Sequence, residues 1–267
     1  LVITHELVHI FHLDRTGPLG TGVRTMLGRV PWSWPTFPGY TTSSLGIEGV
    51  AVHLESVHTE AGRVHGSFYD AIARTRVLGG ESESVGQGLG RSPVWPGGSR
   101  PYVFGSLFLR HLSDTYGEST LVQFLETMAD QWIPYRLDAA ARETFGPSFQ
   151  ELWADWMKGV KAEAEALRQR IEGRGGFPDP ELLTDGGRWA LHPTPAPNGS
   201  GVAYVRFDGR SDLRLVLHTS AGERTLTRWN SLDPPVWIDD GALLLPQVEY
   251  VDTYRIYRDL FRVSLDG

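Results

Sequence analysis

The chain has no cysteine among its 267 residues. That absence excludes a disulfide framework and any thiolate-held metal, so a metal site has to be built from His, Asp and Glu. It leaves the compartment open. No apolar stretch approaches the roughly 18 to 20 residues that a membrane-crossing helix needs; the most apolar windows, 103–112 and 242–248, are short and interrupted by charge or polarity. Positive charge is also scarce. The 25 Lys+Arg against 32 Asp+Glu give a formal charge of -7, and no basic run offers an electrostatic footprint for a phosphate backbone or an anionic surface. Nucleic acid is therefore not expected as a partner. What is present is 40% hydrophobic and 21% charged residues, a balance that supports a packed core and excludes disorder as the main state. The length suffices for two modest domains.

Apolar residues recur at three- and four-residue steps through 1–13, 45–57, 68–78, 102–116, 119–129 and 149–171, which predicts helices there. Gly17-Pro18, the Pro/Trp-rich 31–38, Gly79-Gly80, 93–101 and Gly146-Pro147 separate them, and Ser148 with Glu151 has capping-box spacing for the last. After the Gly-rich 173–176 and Pro-rich 177–180 the texture changes to short β-type runs at 201–207, 213–219, 224–228, 242–248 and 254–263. This is the expected domain boundary. Within the tail, Asn198-Gly199, a run beginning Val202-Ala203-Tyr204, 213–217 and Ala221-Gly222 are echoed by Asp240-Gly241, Leu243-Leu244-Leu245, 255–263 and Asp266-Gly267. Equivalent glycines stand 42 and 45 residues apart, inside the roughly 40 to 50 residue period of four-stranded propeller blades. Two such units cannot close a ring, which takes about 4 to 8 blades. The opening run Leu1-Val2-Ile3 enters a charged motif at once, with neither an initiator Met nor a signal-peptide pattern, so the chain reads as a piece of a longer protein, truncated at both ends.

The strongest chemical signal is His5-Glu6-Leu7-Val8-His9 within the first helix. Four residues on a helix advance about 6 Å and turn about 40°, so both imidazoles project from one face and can share an ion. Glu6 lies between them, where a carboxylate can take a proton from a water made acidic by a metal. Two histidines need a third protein ligand. The metzincin spacing is excluded, because His12 and Arg15 stand where that pattern requires Gly and His. A later acid is the remaining option, and Glu48, on a second apolar helix where an unpaired carboxylate is costly, is the expected ligand.

Taken together, His5-Glu6-Leu7-Val8-His9 followed by Ile47-Glu48-Gly49-Val50-Ala51 resembles the gluzincin metallopeptidases, which carry HExxH and a downstream glutamate in an EGxA context. The resemblance covers about residues 1–160. Pro101-Tyr102-Val103-Phe104-Gly105, continuing through Leu107-Phe108-Leu109 to Tyr116-Gly117, is similar to the PYxxG helix of gluzincin aminopeptidases, whose tyrosine hydroxyl donates to the oxyanion. What the resemblance implies is one Zn2+ per chain on His5, His9 and Glu48, Glu6 as general base and Tyr102 as oxyanion donor, with a peptide or protein as substrate. The gap from His9 to Glu48 is longer than in the aminopeptidases and is filled by the Pro/Trp-rich loop. The tail resembles TolB-type (WD40-like) propeller repeats through Pro197-Asn198-Gly199, Val202-Ala203-Tyr204, Glu223-Arg224-Thr225-Leu226-Thr227 and the run from Pro235 to Gly241. Such repeats imply a possible protein partner and, by family resemblance only, an envelope, periplasmic or secreted setting. The expected architecture is multidomain, α then β: a helical gluzincin catalytic subdomain at 1–173, a linker at 174–187 and partial propeller blades at 188–267.

Blander readings stand beside these. His12 reads as a solvent-facing residue or an outer neighbour of the ligands, and His53 and Glu55 read as a solvated helix face, although either could orient a ligand. His58, His65 and His111 read as surface or packing residues. Trp32 and Trp34 could wall a substrate cleft or clamp a loop, and Tyr102 without its motif context would read as a core residue. The competing functional class is a catalytically degenerate peptidase scaffold whose propeller binds a protein or peptide.

Overall fold

The apolar run at the start of the chain forms a helix that buries only a narrow stripe. α1 (Val2–Leu13) buries His5 and Val8 and leaves Ile3, Leu7, Ile10 and Phe11 exposed. The structure, a computed structural model, describes residues 1–81, 83–90, 94–185, 189–231 and 233–265. Pro93 of the interhelical breaker, Gly186 and Gly187 of the expected linker, Arg188 at the start of the expected blades and the Asp266-Gly267 echo lie outside those residues. The chain divides into two compact units, Leu1–Phe177 and Pro178–Gly267.

The first unit is helical. After α1 come α2 (Pro18–Leu27), a π-turn (Leu45–Gly49) running directly into α3 (Val50–His58), and α4 (Ser67–Leu78). Then follow α5 (Val85–Leu89), α6 (Arg100–Tyr116), α7 (Glu118–Asp130), α8 (Leu137–Phe145) and α9 (Phe149–Glu172). Helices expected from periodicity are present within a few residues of their predicted ends, and α2, α5 and α8 are additional. Gly17-Pro18 is not merely a break: Pro18 occupies the first turn of α2, where a missing N–H costs nothing. Ser84 caps α5 by a capping box with Gln87, and Ser148 does the same for α9 with Glu151. α6 is the central element. It buries Val103, Phe104, Leu107, Phe108, Leu109 and Leu112, and the Phe108 ring lies 5.0 to 5.3 Å from those of Phe149, Trp153 and Trp156 on α9.

Ahead of α6 an ionic cluster fixes its first turn. Glu83 and Arg100 are buried and paired at 2.6 Å, Arg76 of α4 adds a second contact to Glu83 at 3.2 Å, and Arg100 donates to the carbonyl of Val94 at 3.0 Å. A buried charge is tolerated only when paired in this way, and the pairing sets the position of Tyr102, two residues further on.

The second unit is two antiparallel sheets. One has strand order β1 (Trp189–Pro195), β2 (Gly201–Phe207), β3 (Arg214–Thr219), β4 (Gly222–Arg228); the other has order β5 (Val236–Asp239), β6 (Ala242–Tyr250), β7 (Ile256–Ser264). Ala203 and Val205 of β2, Leu215 of β3, Trp229, and Leu243 and Leu245 of β6 form their common core. Trp237 Nε1 donates to the carbonyl of Thr194 at 3.0 Å, tying β5 to β1. β1–β2–β3 and β5–β6–β7 are thus meanders of the same connectivity. The expected helical-then-β order holds; the described residues form two open antiparallel sheets and no closed ring.

Candidate metal centre

His5 and His9 lie one turn apart on α1, and α3 packs across that helix. The π-turn before α3 carries Glu48, a kind of turn that recurs at functional sites. His5 Nε2 and His9 Nε2 are 3.2 Å apart, and Glu48 Oε2 is 3.4 Å from each. Three donor atoms of two residue types therefore form a nearly equilateral triangle. Ligand atoms held tetrahedrally at about 2.0 to 2.1 Å from a zinc ion stand about 3.3 to 3.4 Å apart, so the spacing fits one face of such a site. Among the described residues, His5, His9 and Glu48 are the group able to hold a metal ion. Glu48 is half-buried rather than enclosed, so its cost of burial is smaller than the apolar sequence around it suggests.

The outer neighbours differ from the sequence expectation. Glu55 is fully buried, one carboxylate oxygen 3.1 Å from His5 Nδ1, and Arg63 donates to both its oxygens, from Nε at 2.7 Å and Nη2 at 2.7 Å. Burial pushes the Glu55 carboxyl up, but the Arg63 hydrogen bonds and charge outweigh it, and the net shift is downward. The same contacts raise Arg63 further above its already high value. His53 is buried as well, with Nε2 3.1 Å from Glu118 at the start of α7; it holds helices together and does not touch the ligands. The solvated-face reading of His53 and Glu55 is thus corrected: α3 is covered on that side by α1, α6 and the turn at Arg63–His65. Sequence reasoning missed Arg63 altogether. Nothing in the pattern Gly62-Arg63-Val64 signals that its guanidinium returns to α3.

Tyr102 lies on the same side. Its ring is nearly parallel to that of His5 at 6.3 Å, and the Arg63 guanidinium is 5.6 Å from the ring centre. Burial raises the Tyr102 hydroxyl above its ordinary value, and the nearby Glu48 carboxylate adds to that. Its hydroxyl is therefore a protonated donor at neutral pH beside the ligand set. Glu6 is exposed and shares with His9 a cleft of about 990 Å³ lined by Ile10, Trp32, Phe37 and Tyr40. Trp32 borders this cleft; Trp34 does not line it. His12 is half-buried, its Nδ1 shielded without a partner among the described residues, and burial followed by the His9 and Arg15 charges lowers it to about 4. It is neutral at physiological pH and outside the ligand triangle. His58 and His65 are exposed and His111 half-buried.

No known protein family, curated protein or solved structure matches the chain.

Proposed function

We propose that the chain is a zinc-dependent metallopeptidase. The observation that carries this reading is the convergence of His5, His9 and Glu48 at tetrahedral spacing, with a free carboxylate, Glu6, on the intervening position of the same helix. Zinc held by these three side chains supplies a Lewis acid that makes water acidic near neutral pH. Glu6 takes the proton of the attacking water and returns it to the leaving amine. Tyr102 donates its hydroxyl to the oxygen that becomes negative as the peptide carbonyl is attacked, an interaction for which a single donor is worth about 3 to 4 kcal/mol. The exposed cleft beside Glu6 and His9 admits an extended peptide, with Trp32, Phe37 and Tyr40 as apolar contacts.

We infer further that the second unit consists of TolB-like propeller blades and serves as a surface for a protein or peptide partner. Its support is the meander repeated after matching turns at Asn198-Gly199 and Asp240-Gly241. Zinc content and peptide cleavage together test the catalytic reading. Protein purified without chelator is expected to bind one zinc, His9→Ala to lose it, and Glu6→Gln to keep it while hydrolysis falls to background. Hydrolysis by Glu6→Gln at the parent rate removes the mechanism; absence of zinc from the parent shifts the reading to a scaffold that binds through its β unit.

A further inference from the structure

Nδ1 of His5 faces two groups of opposite character, Glu55 Oε2 at 3.1 Å and Arg63 Nη2 at 2.8 Å. A carboxylate only accepts and a guanidinium only donates, so the two contacts call for different tautomers of the ring. With the proton on Nδ1, Glu55 accepts it and the Nε2 lone pair is free toward His9 and Glu48. With the proton on Nε2, Arg63 donates to Nδ1 and the ligand position is blocked. Which tautomer prevails depends on how firmly the Glu55 carboxylate is held in place against Nδ1. Arg63 does that holding: two side-chain bonds of 2.7 Å and one from its own backbone N–H at 3.3 Å converge on Glu55. The fork fixes the plane of the carboxylate as well as its charge, which a point-charge lysine cannot do. The same guanidinium backs the ring of Tyr102.

We propose that Arg63 is the positioning residue of the metal centre, locking Glu55 onto His5 Nδ1 so that His5 offers Nε2 as a ligand atom, and holding Tyr102 beside it. This inference rests on His5, His9 and Glu48 being the metal ligands. It assigns Arg63 no contact with metal or substrate; Arg63 acts through His5 and Tyr102.

The test is zinc affinity of the whole chain by chelator competition, read for the parent, Arg63→Met, Arg63→Lys, Glu55→Met and Arg110→Met. Arg110 is the control, because it supports the same turn through a hydrogen bond to the carbonyl of Val64 at 3.0 Å without reaching His5. Loss of an outer partner of a ligating histidine weakens metal binding about 10- to 100-fold. That loss is expected for Arg63→Met and Glu55→Met, with partial recovery in Arg63→Lys and parental affinity in Arg110→Met. Histidine 15N spectra of the zinc-free proteins give a second readout: His5 carries its proton on Nδ1 in the parent, Glu55→Met shifts toward the Nε2 proton that Arg63 favours, and Arg63→Met, which leaves Glu55 unanchored, gives a mixture of the two tautomers. Should Arg63→Met not fold, Arg63→Lys and the spectra decide the question. Parental affinity and an unchanged tautomer in the Arg63 variants, or an equal loss in Arg110→Met, overturn the proposal and leave the metal site standing. A parent that binds no zinc overturns both.

Discussion

At the scale of single residues, the site separates groups by what surrounds them. Glu6 is exposed and makes no ion pair among the described residues, whereas Glu55, seven residues beyond Glu48, is enclosed and committed to Arg63 and His5. Two carboxylates of similar intrinsic acidity thereby take different work. Tyr102 allows the sharpest test, since its ring stacks against His5 while its hydroxyl feels the Glu48 charge. Tyr102→Phe keeps the ring and removes the donor. Its zinc content is expected to equal that of the parent, and kcat for peptide hydrolysis to fall about 100-fold or more, the usual effect of deleting one oxyanion donor. An unchanged kcat reduces Tyr102 to a packing residue.

Between elements, the decisive contact is glycine against glycine. A Cβ at Gly49 would meet the Gly105 Cα at 2.8 Å, and one at Gly105 would meet the Gly49 Cα at 2.9 Å and the Leu45 carbonyl at 3.0 Å. The π-turn and α6 therefore touch backbone to backbone, and this closeness puts the Glu48 carboxylate near enough to Tyr102 for its charge to act on the hydroxyl. Here lies a physical reason for the glycine in each of the motifs that resemble gluzincins. Gly49→Ala forces the two elements apart; it is expected to cost about 1 to 3 kcal/mol in chemical denaturation, the range for overpacking a tight core, and to weaken zinc binding because Glu48 moves with the turn. A variant as stable as the parent and with parental zinc affinity would show that the contact relaxes without consequence.

For the molecule as a whole, the two units have separate cores, one around α6 and the other around Trp229, Leu215 and Leu243. Between α9 and β1 the described chain has no regular structure, and Phe177, Leu182 and Leu183 are exposed. Exposed backbone without ladder hydrogen bonds is where proteases cut first. Brief chymotrypsin digestion of the folded protein is accordingly expected to cleave at Leu182 or Leu183 before any site inside the units, the Phe177 bond being blocked by Pro178, giving one helical and one β fragment by mass spectrometry. First cleavage within α1 to α9 would contradict that order.

The sequence by itself determined the helical periodicity of the first unit, the change to β texture after residue 180, and the candidate ligands His5, His9 and Glu48, because spacing along a helix translates directly into a shared face. Its failures were of two kinds. α2 and α8 were missed where helices begin at a proline or run through weak apolar patterning, since proline in a first turn reads as a breaker until the turn itself is known. Glu55 and Arg63 were misjudged or unseen because burial and pairing across 8 residues of turn are set by how α3 is covered, not by any local pattern. Only the tertiary structure decided that Glu48 comes within 3.4 Å of both histidines, that a buried ion pair stands behind His5, and that Tyr102 faces Glu48. Each of these depends on the approach of α6 to a π-turn more than 50 residues earlier, and long-range packing of that kind is fixed by the steric fit of whole surfaces rather than by the residues of any one segment.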